Sequence, residues 1–144
     1  MDHTALTNHS PFSRGLQRET KRAAVLSCAA KLLNTKGARS TTLTDIASRL
    51  GLTKTSLYYY VSNKEDLIYQ CYQANMQQAH DQLDFAVQQH TAPLACLLAF
   101  FEGQIAKTLR SIDGEGDFYA APLEFASLKT EHRTVLEAAY RQLL

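Results

Sequence analysis

The sequence predicts an all-α protein, with a three-helix helix-turn-helix unit at the front and a helical body behind it. Three observations carry this. Apolar residues recur at i, i+3, i+4 and i+7 along most of the chain, which is the spacing of a helix with one buried face. The stretch TTLTDIASRLGLTKTSLYYYVSNK, from Thr41 to Lys64, holds two short capped apolar segments joined at a glycine. Charge is divided unevenly, with ten Lys/Arg and five Asp/Glu in residues 1–66 against five and nine in residues 67–144.

Residues 1–13 are polar and have no apolar stripe, so they read as a flexible arm. Helix 1 is expected from about Arg14 to Lys36, with Val25, Cys28, Ala29, Leu32 and Leu33 on one face and Gly37 as its stop. Thr42 caps helix 2, and Asp45 three residues on completes a capping box. Ile46, Ala47 and Leu50 form its apolar side, and Gly51 supplies the left-handed residue of a sharp turn. Leu52 packs under that turn, Thr53 caps helix 3, and Leu57 and Tyr60 face inward.

Helix 4 opens at Ser62 or Asn63, with capping boxes offered by Ser62–Glu65 and Asn63–Asp66. It runs to about Gln89 with Ile68, Tyr72, Asn75, Met76, Ala79, Leu83 and Val87 along one stripe. Thr91 and Pro93 begin helix 5, whose run from Leu94 to Ile112 is apolar on most sides and predicts a central position. Residues 113–117, DGEGD, read as a loop, Phe118–Leu128 as helix 6, and Thr130 as the cap of helix 7. Helix 7 carries Leu136, Tyr140, Leu143 and Leu144 on a broad apolar face expected to need a cover.

Apolar positions 46, 50, 52, 57 and 60 around a small Ala47 and Gly51 are what a DNA-binding helix-turn-helix needs. Lys54 and Lys64 open helices 3 and 4, where the helix dipole already places positive charge. A lysine there costs on the order of 0.3–1 kcal/mol unless an anion docks at the same end. The expected DNA-contacting set is Thr42, Thr44, Lys54, Thr55, Ser56, Tyr58, Tyr59, Tyr60 and Lys64. Arg14 and Arg18 suit phosphates or a minor groove, and suit a plain solvated terminus equally well. The basic front and acidic rear fit a protein that offers one end to nucleic acid.

The run from Thr42 to Leu67 resembles the DNA-binding domain of the tetracycline-repressor (TetR) family of bacterial transcriptional regulators. The matching residues are Thr42, Ile46-Ala47, Gly51-Leu52, Leu57-Tyr58, Tyr60-Val61, Ser62-Asn63, Lys64, Glu65 and Leu67. Tyr60 stands where the family often has His, and Val61 where it often has Phe. The resemblance implies a DNA-binding unit at 14–66 and a regulatory body at 67–144. It also implies a repressor that binds a near-palindromic double-stranded operator as a homodimer under control of a small-molecule effector. Family members are longer and dimerise through their last two helices, so the resemblance implies that this chain lacks those helices or is short by nature.

In the family the rear helices enclose an effector pocket. The residues placed to line one here are Tyr72, Met76, Phe100, Phe101, Gln104, Phe118, Tyr119, Phe125 and Tyr140, though ordinary core is the better reading for any single one of them. No effector is named by the sequence. His80 and His132 lack ligand spacing, and no metal or other cofactor is expected. No phosphate loop, nucleophile elbow or carboxylate pair points to an enzyme. Cys28, Cys71 and Cys96 suggest neither disulfides nor zinc. With no signal peptide or membrane-length apolar run, a cytoplasmic location is expected. The competing reading is a helical ligand- or partner-binding module that keeps the hairpin without binding DNA.

Overall fold

The computed structural model describes residues 11–112 and 122–143, and every regular element among them is helical. The helices are α1 (Pro11–Ser40), α2 (Leu43–Arg49), α3 (Lys54–Leu57), α4 (Lys64–Gln89), α5 (Pro93–Ile112) and α6 (Thr130–Leu143). A 3-10 turn, Pro122–Ser127, precedes α6. The fold is an N-terminal helix-turn-helix unit, α1 to α3 with the start of α4, followed by a helical body. Of the two sequence expectations that fall between α5 and the 3-10 turn, the loop at 113–117 lies outside the described residues, as does the start of the helix expected at Phe118. Residues 1–10 of the expected arm also lie outside them.

α1 begins at Pro11 rather than Arg14, because proline fits a first turn whose N–H groups have no partner. Val25, Leu26, Ala29, Ala30, Leu32 and Leu33 are buried, and the helix packs on α2 and α4. At Gly37 the backbone leaves helical geometry (φ 75°, ψ 163°), a region open essentially to glycine alone. The break turns Ala38 and Thr41 into the core. Thr41 is a buried hydroxyl with its donor satisfied twice over, by the Leu32 carbonyl at 3.2 Å and the Gly37 carbonyl at 2.9 Å.

α4 is the element on which the rest is hung, since α1, α5 and α6 all pack against it. At 1.5 Å per residue it spans about 40 Å. Leu67, Ile68, Cys71, Tyr72 and Met76 are buried along its front half. Further on, the buried residue is Ala86, not the expected Val87, which is exposed along with Phe85. The reason is geometric: Ala86 lies eighteen residues past Ile68, about five full turns at 3.6 residues each, so it returns to the same face. Cys71 donates to the Leu26 carbonyl at 3.7 Å, and burial pushes its thiol up to about 12.

α5 does not take the central place that its apolar content predicts. Half-buried Ala95, Ala99 and Phe100 face α4, and Gly103 sits directly against Gln82. That close approach suits small side chains. Leu94, Leu97, Leu98, Phe101, Ile105 and Leu109 point the other way and are 51–67% exposed.

The helix expected over Phe118–Leu128 is, in its described part, the 3-10 turn, which delivers Leu128 to the core. Thr130 is the first residue of α6 rather than its cap. The expected open face of this helix is corrected as well: Leu136 is fully buried and Leu143 packs on the core, while Val135 and Tyr140 stay exposed. Leu144 lies outside the described residues.

Candidate nucleic-acid interface

The hairpin is closed by its own caps. The Thr42 hydroxyl oxygen accepts the Asp45 N–H at 3.1 Å, and Asp45 Oδ2 accepts the Thr42 N–H at 3.0 Å. The Thr42 backbone N–H, then the Thr42 hydroxyl donating to the same Oδ2 at 2.9 Å, hold the Asp45 carboxyl below its usual range, with Lys36 adding to the effect. At the other end of α2, Gly51 has φ 65°. The Leu52 N–H returns to the Ala47 carbonyl at 2.8 Å and the Gly51 N–H to the Ser48 carbonyl at 3.2 Å. This is a Schellman closure, and it leaves Ile46 and Ala47 buried. Thr53 then caps α3, accepting the Ser56 N–H at 3.1 Å.

α3 is short, and its orientation follows from one anchor. Leu57 is fully buried, while Lys54, Thr55, Ser56, Tyr58 and Tyr59 are exposed. Tyr58 lies beneath the Lys54 ammonium, 6.0 Å from its ring centre. Tyr59 is 63% exposed, and the Arg18 guanidinium from α1 sits 5.0 Å over its ring. Tyr60 meets Tyr59 edge-on at 5.2 Å and packs against the core. Of the expected contact set, Tyr60 is thus half-buried, less open than Tyr58 and Tyr59.

Two other expected contact residues are committed elsewhere through their hydroxyls. Thr42 is bound in its capping box and Ser56 is paired with Thr53 at 2.8 Å. Thr44 is exposed on α2, and Lys64 is partly exposed at the start of α4. Of the two capping boxes expected for α4, neither closes reciprocally: Asn63 caps the helix, its side chain accepting the Asp66 N–H at 2.8 Å, but the Asp66 carboxylate does not return to the Asn63 N–H. Asp66 takes the Ser62 N–H at 2.8 Å, a role expected of Glu65. Glu65 instead faces α6.

The structure adds cations that the motif does not mark. Lys21 of α1 lines one hollow with Ser56, Tyr59 and Tyr60. Arg39, just past the Gly37 break, lines another with Lys64 and Glu65. The surplus of basic residues in the front half was the available signal, but only the fold says which of them reach the hairpin.

The profile described as bacterial regulatory proteins, tetR family, matches residues 25–71. Over that stretch, about a third of its length, the chain is similar to the TetR family. Solved structures share the fold. A TetR-family transcriptional regulator from Bordetella parapertussis superposes with a TM-score of 0.70 at 20% identity, covering 87% of this chain and 64% of that one. The TetR-family regulator PfmR from Thermus thermophilus gives 0.65 at 24%, covering 83% and 63%. A TetR/AcrR-family regulator from Thermobifida fusca gives 0.61 at 26%, covering 86% and 64%. The chain spans less than two thirds of the length of each of these structures. No curated protein sequence matches it significantly.

The residues expected to line an effector pocket are only partly gathered. Tyr72 and Met76 are buried as core, and Tyr72 meets Phe125 edge-on at 5.8 Å. Phe100 and Phe101 touch each other at 5.5 Å on α5, with Phe101 and Tyr140 exposed and Gln104 half-buried. Phe118 and Tyr119 lie outside the described residues. Among the described residues no group of three or more His, Cys, Asp or Glu is arranged to hold a metal ion, and no helix is long and apolar enough to cross a membrane.

Proposed function

We propose that this chain is a transcriptional repressor that binds a near-palindromic DNA operator as a homodimer, with affinity set by a small molecule bound in the helical body. The observation that carries the DNA half is the exposure pattern of residues 54–60. Leu57 anchors the segment, while Lys54, Thr55, Tyr58 and Tyr59 stand outward beside Arg18 and Lys21. Threonine and tyrosine hydroxyls serve base edges and phosphates, and the cations serve phosphates. Lys54, Thr55, Tyr58 and Tyr59 form the proposed reading set, and Thr44, Lys64, Arg18, Lys21 and Arg39 the proposed backbone set.

Control by an effector draws its support from α4, a single helix that begins at the DNA-facing end and carries Tyr72 and Met76 in the body. A homodimer is supported by the exposed apolar face of α5 and by the needs of operator recognition, since one hairpin makes few contacts. No catalytic role is proposed.

Selection of operator sequences from random duplex DNA at one fixed salt concentration tests the reading. The expected product is a near-palindrome with half-sites about 34–36 Å apart, or a little more. Recovery of no preferred sequence, with weak salt-dependent retention only, would favour the helical-module alternative.

A further inference from the structure

We propose that Gln70 is the positioning residue that fixes the pose of the reading segment on DNA, an inference that rests on the DNA-binding reading above. Gln70 lies on α4, in a hollow it shares with Arg18, Tyr59 and Tyr60, and touches three parts of the domain with one amide. Its Nε2 donates to the Tyr60 carbonyl at 3.2 Å and to Asp66 Oδ2 at 3.0 Å. Its Oε1 accepts the Arg22 Nε–H of α1 at 3.0 Å. The direction of the amide is set by chemistry. Reversed, it would place oxygen against a carbonyl and a carboxylate, and an NH2 group against a guanidinium.

The partners explain why this amide matters. Tyr60 ends the segment that begins with Lys54, and its ring packs on the core. The carboxylate held by Gln70 also accepts the Ser62 N–H, and the Asn63 side chain holds the Asp66 N–H in turn. One side chain thus ties α1, the connection after α3 and the first turn of α4. Arg22 is further oriented by Glu19 at 3.7 Å. The two exposed tyrosines immediately precede the tethered Tyr60, so a shift of that carbonyl moves Tyr58 and Tyr59 directly. All three Gln70 bonds are partly sheltered from water, which makes their loss costly. Gln70 itself makes no contact with DNA in this proposal; it acts through Tyr58 and Tyr59.

Gln70→Glu is the deciding variant. It keeps an oxygen for Arg22 but turns the donor to Tyr60 and Asp66 into a second acceptor. Gln73→Glu, three residues on, is the charge control: Gln73 is exposed and donates to the Tyr69 hydroxyl at 3.1 Å. Affinities for the selected operator and for random duplex are measured at one salt concentration, with thermal melts alongside. The expected result is an operator-to-random ratio lowered about tenfold in Gln70→Glu, the loss of a sheltered hydrogen bond. Gln73→Glu should weaken both DNAs alike and leave the ratio unchanged. A purely structural role would lower the melting temperature and spare the ratio of the folded protein. Gln70→Met, which keeps the length without the polar atoms, reads the same ratio if the glutamate variant does not fold. Equal ratios in the Gln70 variants and Gln73→Glu overturn the proposal while leaving the DNA-binding reading intact. A wild-type chain that prefers no duplex sequence removes both.

Discussion

Glu65, the second residue of α4, accepts the Lys129 backbone N–H at 2.9 Å, so the amino end of the longest body helix is tied to the entry of α6. The same carboxylate lies 3.5 Å from the Lys129 ammonium and 3.0 Å from His132 Nδ1. His132 in turn stacks on Tyr69, one turn along α4, with ring centres 4.0 Å apart. Lys64, a proposed phosphate contact, is the immediate neighbour of Glu65. The α6 entry and the proposed DNA surface therefore share one turn of helix.

The Lys129 N–H, then the charges of Lys129 and His132, hold the Glu65 carboxyl below its usual range. A carboxyl lowered by folding stabilises the native state above its unfolded pKa and loses that contribution as pH falls through the folded one. The tie should hold at neutral pH, begin to weaken below the ordinary glutamate value of 4.5, and be lost only at more acid pH. Hydrogen exchange at the Lys129 amide as a function of pH reads this directly. Glu65→Gln should remove the acid dependence; an amide equally protected across the acid range in both proteins contradicts the tie.

The hairpin was legible because its constraints are local. Thr42 with Asp45, Leu52 with Ala47 across Gly51, and Thr53 with Ser56 are pairs within a few residues, and each forms as spacing dictates. α5 was misread because composition reports how apolar a helix is, not which neighbours exist to cover it. Glu65 was misassigned for a related reason: within its own helix it looks like a cap, and its true partners are sixty-four and sixty-seven residues away. The Gln70 bridge is equally invisible locally, since Arg22 lies forty-eight residues distant. Among the effector-pocket residues, Tyr72 and Met76 carried no signal to separate a pocket wall from a core.

Substitutions on the proposed DNA surface should divide into two kinds. Lys64→Ala should weaken operator and random duplex alike and lower the salt slope by about 1. Arg39→Ala should behave the same way, since it shares a hollow with Lys64. Lys54→Ala or Thr55→Ala should instead relax preference at particular base pairs. Titrations against a panel of single-base operator variants separate the two. Uniform loss across the panel for all four changes would remove α3 as the reader.

Gly51→Val should destabilise the domain by more than about 1 kcal/mol, because a β-branched residue strongly disfavours positive φ. Space is not the obstacle, since a Cβ at Gly51 meets nothing within 4 Å. The cost is therefore purely conformational, and Gly51→Asn, which tolerates the left-handed region, should lose less. Thermal melts of the two variants measure it. A valine variant as stable as the parent would mean that the turn is not held at φ 65° in solution.

Dimer formation has a physical test in α5. Leu94, Leu97, Leu98, Phe101, Ile105 and Leu109 form one outward stripe whose largest members are more than half exposed, an arrangement costly to leave in water. Each buried leucine or phenylalanine contributes about 1.5–3 kcal/mol, so even partial cover by a second chain is a substantial driving force. Two recognition segments must then reach successive major grooves together, which couples association to operator affinity. Sedimentation of the 144-residue chain should show concentration-dependent self-association. The pair Leu98→Glu and Phe101→Glu should abolish it without lowering helix content, because neither side chain faces α4. Operator affinity should fall with it, while binding to random duplex, which one hairpin can support, should change far less. Retention of both association and operator affinity in the double variant would place the dimer contact outside this stripe.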